Sequence, residues 1–336
     1  MKRSLFLAAL ATLTSGAALA QSSVTIYGRL NESVERQKVG STSVTAMADS
    51  QSRIGFKGTE DLGGGLKASF LIEHGFNADT GSQATGGFWG RESWVALEGG
   101  FGRVRLGNMG PSAAYFATAD YISMHNHDTG TSADALYLYP GVSTNTIAYN
   151  SPSFGGLTID AQLGLAENTQ PRKTYVLAAN YVGGPLHLGA SYVQGPGGPL
   201  EDDKHSEIGL RGLYEMGPVT LGAYYVRNEI EDATGTSKRN AYRVSAMYAF
   251  GANELHANVG VASKWKGGGQ YSGNDTGAKQ FTLAYNYNLS KRTKLYAFYT
   301  KVDNDAGAAY NPGRFAIGNA LGDDLSSVAF GIRHNF

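Results

Sequence analysis

A period of two in hydrophobicity recurs along almost the whole chain. From Phe281 to Leu289, every odd-numbered residue is apolar or aromatic and every even-numbered residue is small or polar. Because successive side chains of a strand point to opposite faces, this pattern predicts a strand with one apolar face and one polar face. The pattern returns at 157–165, 186–192 and 242–248. After residue 20, no stretch offers the roughly 20 consecutive apolar residues of a membrane helix. The sequence therefore predicts an all-β protein.

The connections between these segments alternate in length. Each segment has about ten residues, which is what a tilted strand needs to cross a bilayer. Seven short, mostly glycine-containing turns and eight long loops imply sixteen antiparallel strands in a closed transmembrane β-barrel, with both ends of the chain on the tight-turn side. The short turns contain Gly63 to Gly65, Gly99-Gly100, Gly155-Gly156, Gly183-Gly184, Gly217-Pro218, Gly251 to Asn253 and Ser290-Lys291. The long loops are expected near 37–51, 78–87, 109–143, 166–172, 194–205, 229–239, 264–278 and 303–325.

The first 20 residues read as a secretory signal peptide. They carry Lys2 and Arg3, then an apolar run, then Ala18-Leu19-Ala20 as a cleavage site. Residues 1–20 are therefore assigned to the signal peptide, and residues 21–336 to a single transmembrane β-barrel domain. The whole chain has 28 basic and 28 acidic residues. Because Lys2 and Arg3 fall in the signal peptide, the remainder is slightly acidic, which argues against nucleic acid as a partner.

Several stretches of the chain have distinctive sequence motifs. The most specific are SRIGFKGTEDLGGGLKA at 52–68 and GIRHNF at 331–336. Others are SVTIYG at 23–28, YNSPSF at 149–154 and LSKRTKLYA at 289–297. These stretches resemble the general porins of β-proteobacteria, a Gram-negative family similar to the neisserial porins. The resemblance implies a barrel that assembles as a homotrimer, with the long third external loop folded into the lumen.

The same resemblance implies a function. We expect a multi-pass β-barrel of the Gram-negative cell outer membrane that passes small hydrophilic solutes and ions through a water-filled pore. It would be a channel and not an enzyme, and it would need no cofactor. Outer-membrane lipid and lipopolysaccharide are the expected surroundings.

Strand phase sorts the charged side chains by face. Members of the family commonly carry Leu-Gly-Arg before the third loop, whereas this chain has Leu106-Gly107-Asn108, so selectivity does not carry over directly. Glu73, Asp160 and Glu207 are expected on the inner face as well. The basic residues assigned to the inner face, as a pore-lining basic wall, are Arg29, Arg53, Lys57, Lys67, Arg91, Arg103, Arg105, Arg211, Arg243 and Arg333.

The third loop complements this wall in charge. No Lys or Arg occurs between Arg105 and Arg172, whereas the loop carries Asp120, Asp128 and Asp134. A basic wall facing an acidic constriction loop would set up a field that tunes which ions pass, with a weak preference for anions. The alternative is that inner carboxylates or loop carbonyls neutralise several of the arginines, which then only stiffen the wall.

Other motifs have weaker functional interpretations. The sequence His125-Asn126-His127-Asp128 offers metal-binding side chains, but no third ligand has a matching spacing, so we predict no metal site. A sugar-specific pore would need a continuous track of inner aromatic residues. The inner aromatics expected from strand phase are scattered, which favours general diffusion over sugar specificity. They are Tyr27, Tyr224, Tyr296 and Phe298.

Aromatic residues near strand ends suggest interfacial girdles at the height of the lipid headgroups. They are Trp89, Trp94, Tyr181, Tyr192, Tyr225 and Tyr287.

Two other classes stay open at the level of sequence. A barrel enzyme would need a His oriented by a carboxylate near the rim, and the seven His residues show no such cluster. A secreted β-sandwich would bury its apolar faces in a protein core.

The last strand alternates up to a terminal Phe336. This ending resembles the signal that barrel-assembly machinery recognises in its clients, and we expect Phe336 to serve that role during biogenesis.

Overall fold

The computed structural model describes residues 23–84, 86–110, 112–120, 134–139, 144–167, 173–197, 203–313 and 315–336. The signal peptide predicted at 1–20 lies outside these residues. They form one antiparallel sheet system with a single short helix, α1 (Ala113–Thr118). The strands are β1 (Ser23–Val39), β2 (Thr42–Asp49), β3 (Arg53–Gly63), β4 (Leu66–Asn77), β5 (Ser82–Gln83), β6 (Glu92–Gly99), β7 (Gly102–Asn108), β8 (Thr146–Asn150), β9 (Leu157–Gly164), β10 (Thr174–Gly183), β11 (Leu186–Pro196), β12 (Lys204–Met216), β13 (Val219–Asp232), β14 (Gly235–Phe250), β15 (Asn253–Ala262), β16 (Lys266–Gly267), β17 (Ala278–Asn288), β18 (Thr293–Asn304) and β19 (Leu325–Asn335).

The sheet closes on itself. β1 pairs with β19 from Arg29 opposite Asn335 to Val39 opposite Leu325. On its other side, β1 pairs first with β3 and then with β2, so β2 and β3 form one barrel strand. β5 and β16 are two-residue strands within loops. The predicted closed barrel of sixteen strands is confirmed, and a β-sandwich is excluded.

Closure suits this sequence because it leaves no sheet edge in lipid. The outward side of each strand is apolar, as in β17, where Leu283 is 48% exposed while its inward neighbour Thr282 is fully buried. The tight turns use glycine where the backbone needs a positive φ, as at Gly63, Gly64 and Gly65 between β3 and β4. No helix among the described residues is long and apolar enough to cross a membrane.

Two of the predicted long loops are wrong. The expected loop at 37–51 is a hairpin in which only Gly40 and Ser41 connect β1 to β2, and the expected loop at 229–239 is the tip of the β13–β14 hairpin. β1 and β14 have 17 and 16 residues, well beyond the ~10 needed to cross a bilayer. Outside lipid both faces of a strand can be polar, so the hydrophobic alternation fades before the strand ends.

The girdle prediction needs one correction. Trp94 shares the inner face of β6 with Ala96, because the exposed outward residues of that strand are Val95 and Leu97. Trp89 lies in the loop before β6 and packs edge-on against Phe56 at 6.2 Å between ring centroids. Tyr181, Tyr192 and Tyr287 are outward and exposed, and Tyr225 is outward and half-buried.

Candidate functional site

Strands β1 to β7 carry most of the predicted basic residues on their inner face. Arg29 on β1 donates from Nε to Asn335 Oδ1 at 3.0 Å. Lys57 on β3 places its ammonium 5.1 Å from the centre of the Tyr27 ring, within cation–π range. Lys67 is exposed near the β3–β4 turn, opposite Glu98 on β6.

Glu73 on β4 is shared by two guanidinium groups. Arg91 Nε donates to its Oε1 at 2.6 Å, and Arg53 Nε lies 3.6 Å from its Oε2. The Tyr27 hydroxyl also donates to Oε2, at 2.8 Å. Both guanidinium groups are about one-fifth exposed. Glu73 therefore serves both arginines, and the carboxylate of Glu92 at the start of β6 lies close enough to interact with them electrostatically.

A second basic group lies on β7. Arg103 Nη2 pairs with Glu98 Oε2 at 3.0 Å, and Arg105 Nη2 lies 3.6 Å from Asp160 Oδ2 on β9. The guanidinium of Arg105 also stands 5.6 Å from the ring centre of Trp94. Phase predicted the inner position of both arginines, whereas Trp94 was expected to face lipid.

Helix α1 and residues 134–139 belong to the connection between β7 and β8. They lie against the inner face of the opposite wall, where glycines make room for the backbone. A Cβ at Gly189 on β11 would fall 1.9 Å from the Ala117 carbonyl oxygen, and one at Gly209 on β12 would fall 2.1 Å from Thr118 Cγ2. The sequence therefore keeps side chains off the wall where the helix rests.

Two predicted wall arginines hold this connection. Arg211 on β12 donates from Nη1 to the Phe116 carbonyl at 2.7 Å and from Nη2 to Asn180 Oδ1 at 3.0 Å. Arg243 on β14 pairs with Asp134 Oδ1 at 2.6 Å, with both side chains essentially fully buried. Asp134 Oδ1 also accepts from the Leu136 amide at 2.8 Å, and Tyr224 donates its hydroxyl to Oδ2. The charge of Asp134 is thus offset by Arg243 on β14.

Arg239 on β14 is a further anchor that the sequence analysis missed. Its Nη2 donates to the Leu136 carbonyl at 2.5 Å, its Nη1 to the Tyr310 hydroxyl at 2.7 Å and its Nε to Asn228 Oδ1 at 3.2 Å. It therefore connects two loops to the wall. Strand phase would have identified it, since it lies two and four residues before Ala241 and Arg243 on the same face. It was not identified because the sequence analysis placed residues 229–239 in a loop, whereas β14 begins at Gly235.

Carbonyl and carboxylate groups of the wall complete the anchoring. Tyr137 donates its hydroxyl to Glu207 Oε1 at 2.9 Å, while Asn228 donates to Oε2 at 2.6 Å. Gln280 on β17 accepts from the Ala135 amide at 3.0 Å.

The remaining predicted residues are spread out. Arg333 is buried on the inner face of β19 and lines a cavity with Glu254 and Lys294 near the β17–β18 turn. Asp120 follows α1 and donates its amide to the Tyr115 carbonyl at 3.2 Å. Asp128 and the His125–Asp128 motif lie outside the described residues.

Phe336 closes the barrel at the turn side. Its backbone exchanges hydrogen bonds of 3.0 and 3.1 Å with Gly28, and its ring occupies the space that a Cβ of Gly28 would need.

The residues 7–307 match the model of the Gram-negative porin family. The chain belongs to this family. Outer membrane porin protein 32 of Delftia acidovorans is 34% identical, with full coverage of both chains. The major outer membrane protein P.IB of Neisseria meningitidis serogroup A is 26% identical, covering 87% of this chain and 91% of that one. The resemblance to β-proteobacterial and neisserial porins is confirmed.

Solved porins share the fold. The anion-selective porin from Comamonas acidovorans superimposes with a TM-score of 0.78 at 27% identity, covering 94% of this chain and all of that one. OmpT of Vibrio cholerae, solved in a trimer form, gives a TM-score of 0.70 at 16% identity, with 94% and 99% covered. The chain is thus a porin of the outer membrane, a multi-pass β-barrel, and its family and the names of its relatives point to a channel.

Proposed function

We propose that this porin is a general diffusion pore with a weak preference for anions. The observation that carries the preference is Lys57, an exposed ammonium on the inner face of β3 whose described contact is the ring of Tyr27. Arg53 and Arg91 lie on the same wall and share the carboxylate of Glu73. Charges on a low-dielectric wall focus a field into the pore and set which small ions pass.

The anchored loop supplies the narrow part of the pore. Residues 134–139 are held on the far side by Arg239, Arg243 and Glu207. Between them and the wall of β2 to β4 lies a cavity of 840 Å³. We assign the ion selectivity to this gap because a solute passing there meets the Glu73 cluster on one side and the loop on the other.

Comparison supports the anion preference. The Comamonas relative is described as anion-selective and is 27% identical over nearly the whole chain. The departure at Asn108 does not remove every base near the loop, because Arg103 and Arg105 precede it on the inner face of β7.

Assembly partners complete the proposal. Residues 1–20 direct export, and Phe336 is the feature that barrel-assembly machinery recognises. Three copies form the working unit, with lipid and lipopolysaccharide around it.

Swelling of proteoliposomes tests general diffusion directly. We expect pentoses, hexoses and disaccharides to enter at rates that fall with size and do not distinguish stereoisomers. Liposomes without protein give the baseline. Uptake that saturates and selects one stereoisomer would replace general diffusion with a specific pore, and an absence of swelling by any sugar would reject the pore.

A further inference from the structure

Three tyrosines of the β7–β8 connection form a compact group at the 840 Å³ cavity. The rings of Tyr115 and Tyr139 are 5.1 Å apart at 31°, and those of Tyr137 and Tyr139 are 5.0 Å apart at 84°. Tyr115 and Tyr137 are only 1% and 3% exposed, whereas Tyr139 is 47% exposed. The ring of Tyr139 therefore faces the cavity and packs on the buried rings of Tyr115 and Tyr137.

The backbone of Tyr139 is held in an unusual conformation. Its φ is +49°, in the left-handed region that non-glycine residues seldom adopt. Such strain persists only where the surroundings over-determine it, and it concentrates at sites with a function. The neighbours that hold this segment are the Arg239 bond to the Leu136 carbonyl and the Tyr137 bond to Glu207. The segment that leads into Tyr139 is thus anchored to the wall.

The opposite side of the cavity is polar and basic. Arg91 lines it and belongs to the Glu73 cluster, where two guanidinium groups share one carboxylate. Gln51 accepts from Arg91, and Asn77 and Asn311 add amide groups to the lining.

The two acids of the lining both accept hydrogen bonds, and one of them has a basic partner. Asp49 accepts from the backbone amides of Ser52 and Ala78 at 3.2 Å each. Asp134 is paired with Arg243. A polar side that carries the guanidinium of Arg91 therefore faces an aromatic side across a cavity whose volume lies in the range of small-molecule sites, ~300–1,000 Å³.

We propose that this cavity is a subsite for monocyclic aromatic carboxylates on their way through the pore. The ring of the solute packs on Tyr139, and its carboxylate is drawn to Arg91. Aromatic rings attract one another beyond their buried area in stacked or edge-on geometries, and arginine recognises carboxylates through its planar fork. The inference rests on the proposed pore and names a solute class that this pore retains for longer than others.

Current recordings with two matched acids test the subsite. Benzoate and cyclohexanecarboxylate carry the same charge and have similar size, but only benzoate has an aromatic ring. Added to open channels in KCl, benzoate should reduce the current at about fivefold lower concentration than cyclohexanecarboxylate, the effect of one aromatic pair. Equal block by the two acids, or none by either, would overturn the subsite.

Variants separate the ring from the charge. Tyr139→Leu should abolish the advantage of benzoate, and Tyr139→Phe should keep it, with the advantage measured as the ratio of the two blocking concentrations within each variant's own channel. Arg91→Lys should weaken block by both acids to the same degree. Benzoate block that survives Tyr139→Leu would overturn the inference. The pore is judged separately: absence of KCl steps in the unaltered protein would reject the pore and the subsite together, whereas steps without preferential block reject only the subsite.

Discussion

The two sides of the barrel interior use arginine in different ways. On β7, Arg103 keeps 43% of its side chain exposed beside a partly exposed carboxylate, whereas Arg243 on β14 is 0% exposed and paired with an equally buried Asp134. The β7 side presents charge to the pore, whereas on β14 the charge of Arg243 is used in a buried ion pair that holds a loop. A list of inner-face arginines therefore overstates how many of them act on ions, because burial decides the role.

The buried pair should show the largest effect when broken. Asp134→Ala leaves Arg243 without its carboxylate, and removing one partner of a buried pair costs ~3–5 kcal/mol. We expect the Leu136 and Tyr137 amides, which both donate to Asp134, to exchange hydrogen at least about a hundredfold faster.

The matched control for this variant is Asp303→Ala. Asp303 pairs with Lys301 on the surface, with both side chains about half exposed, and a surface pair contributes ~0–1 kcal/mol. If the Leu136 and Tyr137 amides exchange at the same rate in the Asp134 and Asp303 variants, the buried pair holds the loop no better than a surface pair, which would contradict the distinction between the two sides of the interior.

Arg239 should give the next largest effect. Arg239→Lys keeps the positive charge but loses the fork that reaches Leu136, Tyr310 and Asn228. Hydrogen bonds to charged groups contribute ~1.5–3 kcal/mol, so the two loops should loosen and the open-channel current should become noisier. Lys238→Ala, the exposed neighbour, should leave the noise unchanged. If the current noise of Arg239→Lys equals that of the unaltered protein, contacts other than those of Arg239 are enough to hold the two loops.

The β7 side of the interior should respond in selectivity alone, including at Arg105, whose side chain is 12% exposed. Arg105→Gln removes a charge whose described carboxylate partner, Asp160, stands 3.6 Å away. A unit charge ~8 Å from an ion in water changes the energy of that ion by ~0.5 kcal/mol, in opposite directions for an anion and a cation, which corresponds to about a fivefold change in the ratio of anion to cation permeability. Reversal potentials in a salt gradient measure this ratio. Arg227→Gln, on the outward face of β13, is the control, and an equal change there would deny Arg105 its role.

The smallest effect concerns pH at the tip of the β13–β14 hairpin. Hydrogen bonds from the Thr234 hydroxyl and amide lower the pKa of Asp232, which lies beyond the membrane-spanning part of the strand. Because the folded pKa is depressed, this support is complete above the unfolded value of ~3.9 and is lost as the pH falls through the folded value. The Thr234 amide shift in NMR should titrate with a midpoint below ~3.9. A midpoint at or above that value would contradict the contact.

Much of the fold follows from the sequence because lipid imposes a strict alternation. Inside the bilayer the outward residues must be apolar, so strands such as β17 are visible residue by residue. Beyond the bilayer this constraint ends, and the long β1–β2 and β13–β14 hairpins were read as loops. Arg239 was missed for that reason.

The site was less predictable than the fold. Strand phase predicts that Arg211 and Arg243 point inward. It does not predict that the β7–β8 connection covers them, because that contact joins residues about a hundred positions apart. Trp94 was assigned to lipid because a Trp near a strand end is usual there, and its bond to Glu92 Oε2 at 2.8 Å is not visible in the sequence. The tyrosines at 115, 137 and 139 lie outside any alternating segment.

The most direct test of the account is the reversal potential of the intact porin in a planar bilayer under a KCl gradient, compared with Lys57→Gln and Lys57→Glu. The account predicts stepwise openings with a reversal potential on the anion side, which moves towards zero in Lys57→Gln and further in Lys57→Glu. A reversal potential on the cation side in the intact protein, or one that ignores the charge at residue 57, would contradict the claim that the exposed wall selects the ions.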